Sequence, residues 1–155
     1  MSLYIALKIA HLIGVILFFG NVLVSFVWKF RADGTRDPIV IAYAQNLVTL
    51  TDRRFTLAGI ALVLLGGVGM TTLSGLSILS TPWLLWSVAL FLVSGVIANV
   101  FLEPLKIRQS RLTQTFQNGG EIPEEFWRLC RRYYFWGVIA TVLTFVTFLL
   151  MVIKP

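Results

Sequence analysis

The chain has 155 residues, enough for one ordinary domain, yet 57% of them are apolar and only 13% are charged. An average soluble domain carries roughly 25% charged residues, so this balance argues against a water-soluble globule. The net charge of +6 would suit nucleic acid, but the cations gather in two short connections, a placement that reports membrane topology and argues against a nucleic-acid partner.

The 13 basic and 7 acidic residues leave three stretches empty: Ile9 to Trp28, Phe55 to Leu102 and Tyr133 to Ile153. A helix crossing the hydrocarbon needs about 20 predominantly apolar residues, so these stretches hold one, two and one crossings. The middle stretch divides at Ser80-Thr81-Pro82, because Pro cannot continue a helix and biases Thr81 away from helical geometry. Four spans follow, near Leu3–Trp28, Phe55–Leu79, Trp83–Leu102 and Tyr134–Ile153. Backbone groups in lipid must be paired within a helix or a closed barrel, and uninterrupted apolar runs fit helices rather than alternating strands. The expected fold is all-α: one polytopic domain over 1–155, four transmembrane helices in an antiparallel bundle.

The first span reads as a retained helix. Its one early cation, Lys8, lies inside the apolar pattern, and no small-x-small cleavage site follows. Lys29, Arg31, Arg36, Arg53 and Arg54 lie between spans one and two, and Lys106, Arg108, Arg111, Arg128, Arg131 and Arg132 between spans three and four. The positive-inside rule makes both connections cytoplasmic and places both termini on the periplasmic side of a bacterial inner membrane. Both connections are longer than a helix hairpin needs. Apolar residues at largely helical spacing from Ile39 to Leu50 start span two as a helix before it enters lipid. Asn118-Gly119-Gly120 is a turn between helical stretches Leu105–Phe116 and Pro123–Arg132, the second begun by Pro123-Glu124-Glu125. Arg131, Arg132, Tyr133, Tyr134 and Trp136 read as an interfacial belt, as do Trp83 and Trp86 at the other face. Cys130, the single cysteine, reads as a free thiol at a helix surface. Asp52-Arg53-Arg54 reads as snorkelling cations with a helix-surface ion pair, or else as a clamp for an anion or a propionate.

Within lipid, helix interfaces are marked by small and polar residues. His11, Gly14, Phe18, Asn21 and Ser25 follow steps of 3 and 4 and share one face of span one. Gly67, Thr71 and Gly75 mark span two, Ser87, Phe91, Ser94 and Ala98 span three, and Gly137, Thr141, Thr144, Phe148 and Met151 span four. His11 is the only histidine and the one ionisable group well inside a span, which makes it a functional candidate by default. It is either a neutral imidazole bonded to a neighbouring helix, or an axial ligand to haem iron or a proton-transfer group at a tetrapyrrole or quinone site. At about 1.5 Å per residue it lies roughly 12 Å deep, level with Met70 and Thr144. Met70 is thus a candidate second ligand, and Asn21 and Thr144 are candidate pocket groups. Paired intramembrane charges and broken helices, which make ion sites in transporters, are missing.

Lys8-Ile9-Ala10-His11-Leu12-Ile13-Gly14 with Phe18-Phe19-Gly20 resembles the first helix of the HemJ-type membrane protoporphyrinogen oxidases. Asp52-Arg53-Arg54-Phe55-Thr56-Leu57-Ala58-Gly59 resembles the start of their second helix. Asn118-Gly119-Gly120 and Phe126-Trp127-Arg128 extend the likeness more loosely, and the chain looks closest to a HemJ-related family of predicted bacterial integral membrane proteins of unestablished function. The resemblance implies a bundle that handles haem b or a porphyrin, with His11 matching the family's essential histidine. The chain departs from the pattern after Trp83, where Leu84, Leu85, Trp86 and Ser87 supply no cation and the oxidase's third-helix lysine has no counterpart. Two functional expectations result: a haem- or tetrapyrrole-associated redox protein with His11 as metal ligand, or a non-enzymatic packing or assembly subunit of a membrane complex. A bundle this small has little interior room, so a planar macrocycle points to a homo-oligomer in contact with the lipid bilayer.

Overall fold

The computed structural model describes residues 2–155 as four long helices: α1 (Leu3–Thr35), α2 (Pro38–Ser74), α3 (Pro82–Phe116) and α4 (Glu124–Ile153). Each is long and apolar enough to cross a membrane, and the chain is an all-α polytopic membrane protein. A helix of 33 residues is about 50 Å long, well beyond a hydrocarbon layer of about 30 Å. The surplus projects from the arginine-rich end.

The helix ends have local causes. Ser2 caps α1, accepting a bond from the Ile5 amide, and Asp37 caps α2 through the amides of Ile39 and Val40, with Pro38 in the first turn. α1 runs two turns past Trp28, where the charge-free stretch stops, because Lys29 and Asp33 find partners inside the bundle. α2 ends short of Leu79, since Gly75 takes a left-handed φ of 64° that closes the helix at Ser74. Thr81 is extended and Pro82 opens α3, in keeping with the proline break.

α2 and α3 each contain one wide π turn, at Asp52–Thr56 and Ala98–Leu102. The second lies just before Pro104, whose missing amide and ring would clash with an ordinary helical turn. The first brings Asp52 and Thr56 together opposite α1, where both bind Asn21.

In the membrane the bundle is two tight pairs, α1 on α2 and α3 on α4. The α1–α2 seam is made by glycine. A Cβ on Gly14 would lie 2.7 Å from the Gly59 carbonyl oxygen, and one on Gly59 would lie 2.5 Å from the Phe18 amide nitrogen. Gly66 makes the same close approach to His11 and Leu7. The tight-contact glycines of α2 are therefore Gly59 and Gly66; Gly75 serves as a cap. The α3–α4 seam uses hydroxyls, with Ser94 Oγ 2.9 Å from Thr144 Oγ1 and 3.0 Å from the Ala140 carbonyl. The buried face of α4 is Gly137, Ala140, Thr144 and Thr147, while Phe148 is exposed. Aromatic rings bridge the pairs: Phe18 to Phe91 at 5.9 Å, and Phe19 to Phe145 at 6.3 Å. Past the membrane, the α2 start (Pro38–Thr51) packs on the α3 end (Glu103–Phe116), over a small core of Ile41, Phe116, Phe126 and Cys130.

Candidate functional site

The α1 face identified from spacing turns toward α2, except that the Phe18 ring reaches Phe91 of α3. His11 meets Gly66 and Gly67, and Gly14 meets Gly59, Leu62 and Val63. Asn21 meets Asp52 and Thr56, and Ser25 meets Thr51. His11 Nδ1 lies 2.9 Å from the Val63 carbonyl oxygen. A carbonyl can only accept, so Nδ1 carries the proton, and in the neutral ring the lone pair sits on Nε2. The ring rests over Gly67, where an added Cβ would stand 3.4 Å from Cε1 and Nδ1.

The other candidate residues are distributed elsewhere. Leu7, one turn from His11, packs on Gly69, so Met70 beside it stands about one turn beyond the His11 level. Asn21 donates to Asp52 Oδ1 at 3.1 Å and Thr56 Oγ1 at 2.9 Å, and accepts from Ser25. Thr144 belongs to the α3–α4 seam. Asp52 does not pair with its neighbours Arg53 and Arg54, which are exposed; it binds Lys106 of α3 at 3.0 Å. Lys106 also pairs with Glu103 at 2.6 Å. The Asp52 segment is thus a three-helix junction in place of the expected surface ion pair.

A second cluster, one that charge counting hid, lies deeper at the arginine-rich end. Lys29 is 1% exposed. Its ammonium binds Gln45 Oε1 at 2.9 Å and Asp33 at 3.3 Å, with Cys130 Sγ at 3.9 Å. Tyr134 donates to Asp33 Oδ2 at 2.6 Å, and Gln109 donates to Cys130 Sγ at 3.5 Å. All four helices contribute to this cluster, and the Phe126 ring lies 5.3 Å from the ammonium. Two expectations are corrected here. Lys29 is a buried structural charge instead of a loop cation, and Cys130 is buried in the bundle instead of lying at a helix surface. Burial pushes the Cys130 thiol up to about 12, against the opposing pull of Lys29, so the thiolate needed for nucleophilic chemistry is scarce. Tyr134, expected in a headgroup belt, instead turns its hydroxyl inward. The available signal was the four-residue step that continues from Asn21 and Ser25 to Lys29 and Asp33.

No group of three His, Cys, Asp or Glu side chains able to hold a metal ion occurs among the described residues. The His11 Nδ1–H bond to a carbonyl is the arrangement that commonly orients a ligating imidazole.

Residues 5–155 match the family described as Predicted integral membrane protein (DUF2269). The chain belongs to that family. As a member, it is an integral membrane protein with four spans. No curated protein and no solved structure matches it.

Proposed function

We propose that this DUF2269 protein is a tetrapyrrole-binding redox protein of the bacterial inner membrane, with haem b held by His11 Nε2. The observation that carries the reading is the 2.9 Å bond from His11 Nδ1 to the Val63 carbonyl, which fixes the ring and leaves Nε2 its lone pair. The likeness of Lys8–Gly14 to the HemJ-type first helix points the same way. Bound haem would supply one-electron chemistry at its iron. The residues present fit one axial ligand. The chain has a single histidine, so a second imidazole ligand would be supplied by another copy in a homo-oligomer. In the proposed orientation both termini face the periplasm, because the arginine-rich end faces the cytoplasm.

The deciding measurement is the visible absorption spectrum of the detergent-purified protein after expression with haem precursor. A Soret band is expected in the wild type and should vanish in His11→Ala; no band, or an unchanged one in the variant, overturns the reading. An enzyme reporter fused after Pro155 should be active on the periplasmic side, and cytoplasmic activity would reverse the orientation.

A second reading rests on the same bond. His11 is also satisfied as a packing residue between glycine-lined helices, as an assembly subunit would use it. Isolation of a pigment-free complex with another membrane protein would favour that function.

A further inference from the structure

Where α1 ends and α4 begins, the bundle opens into a cleft of about 570 Å³. One wall is Asp33, Cys130 and Tyr134, the outer surface of the buried Lys29 cluster. The remaining wall is Trp127, with Arg36 and Arg131 at the rim beside Glu124. We propose that this cleft binds a phosphate ester anion between Arg36 and Arg131.

The charge arrangement supports an anion. Asp33 presents no free negative charge, since the Lys29 ammonium lies within 3.5 Å of both its oxygens and the Tyr134 hydroxyl donates to Oδ2 at 2.6 Å. Glu124 is the only other acid in the cleft lining, and its contact with Arg131 is loose, 3.7 Å between two well-exposed side chains. A pair of that kind contributes little in water and yields readily to a competing phosphate. Arg36 makes no ion pair among the described residues. Counting Arg36, Arg131 and Lys29 against Asp33 and Glu124, the cleft is left with one cation in excess.

The backbone is built around the same spot. Arg36 holds a left-handed φ of 55° and closes α1 through a bond from its amide to the Asp33 carbonyl. Lys154 stops α4 in the same way, with a φ of 50°. The α1 stop leaves the Arg36 side chain in the cleft lining together with Arg131. Planar guanidinium groups bind phosphate oxygens in a bidentate manner. A phospholipid headgroup and a soluble phosphate ester would use the same two arginines.

The test is native mass spectrometry of the full-length protein from micelles doped with phosphatidylglycerol, with phosphatidylcholine as the neutral control and glycerol phosphate as the soluble probe. The variant is Arg36→Asn with Arg131→Gln, Asn being tolerant of left-handed geometry. Arg53→Gln with Arg54→Gln is the control pair, exposed on another helix. Phosphatidylglycerol should remain bound to the wild type and the control, and retention should fall by about tenfold in the cleft variant with the tryptophan fluorescence unchanged. Binding of glycerol phosphate at the same arginines would show that the phosphate alone suffices; retention of phosphatidylglycerol without it would assign the site to lipid. Equal loss in both arginine pairs, no loss in either, or equal retention of phosphatidylcholine would overturn the proposal.

Discussion

The two ends of the bundle are held together by different physics. Toward the chain termini, α1 and α2 are joined by backbone contact across Gly14, Gly59 and Gly66, with His11 adding one hydrogen bond. Lipid tails offer helices no hydrophobic reason to associate, so closeness of approach has to supply the attraction. At the arginine-rich end the helices are joined by a buried lysine, a carboxylate, two glutamines, a thiol and a phenol drawn from all four. A buried charge is tolerable only when fully partnered. The membrane half thus depends on the absence of atoms and the projecting half on exact pairing, and each should fail in its own way.

The largest effect should come from breaking the pairing. Lys29→Met leaves Asp33 buried without its counter-ion and should cost about 3–5 kcal/mol in denaturation from detergent, with partial recovery when Asp33→Asn is added. A neutral Lys29→Met would show that the ion pair does not hold this end. Cys130 reports the same event independently. Its thiol, pushed up to about 12 by burial, is almost wholly protonated at neutral pH and only 3% exposed. Iodoacetamide should spare it in the folded protein and label it in step with unfolding.

Gly59→Ala tests the membrane half. The new Cβ would lie 2.5 Å from the Phe18 amide nitrogen, so the α1–α2 pair must separate, at about 1–3 kcal/mol. Gly20→Ala, facing open space, should be neutral, and equal costs at the two sites would remove the glycine seam from the account. Tyr134→Phe deletes one bond to a carboxylate that Lys29 still neutralises, a loss of about 1.5 kcal/mol measurable in the same unfolding assay. The smallest change is expected for Ser94→Ala on the α3–α4 seam. Hydrogen bonds between membrane helices average about 0.6 kcal/mol, so a loss comparable with that of Tyr134→Phe would erase the distinction between the two ends.

Much of this was legible along the chain because one-dimensional signals were strong. The charge-free stretches, Pro82 and Asn118-Gly119-Gly120 located the four helices and the last two breaks between them; the α1–α2 break at Arg36 and the α2 end at Ser74 were not located. Steps of 3 and 4 from His11 to Ser25 identified the α1 face that meets α2. The same rule was not followed past Trp28, because Lys29 and Asp33 look like loop charges when charge alone is counted. Every arginine is in fact exposed, while Lys29 is buried and Lys106 half-buried. The candidate pocket partners fared differently. Equal depth on separate helices does not imply a common face: Thr144 bonds within the α3–α4 seam, away from the α1–α2 seam that holds His11.

The amino-acid sequence by itself determined that the chain lives in a membrane, crosses it four times as helices, and carries a single imidazole within lipid. Those facts depend on composition and helical period, which are local. Which helices pair, which cations are buried, and where a cleft opens beside Arg36 were decided only by the tertiary structure. Each of these depends on the partner that a side chain finds on another helix, and no spacing within one helix encodes it.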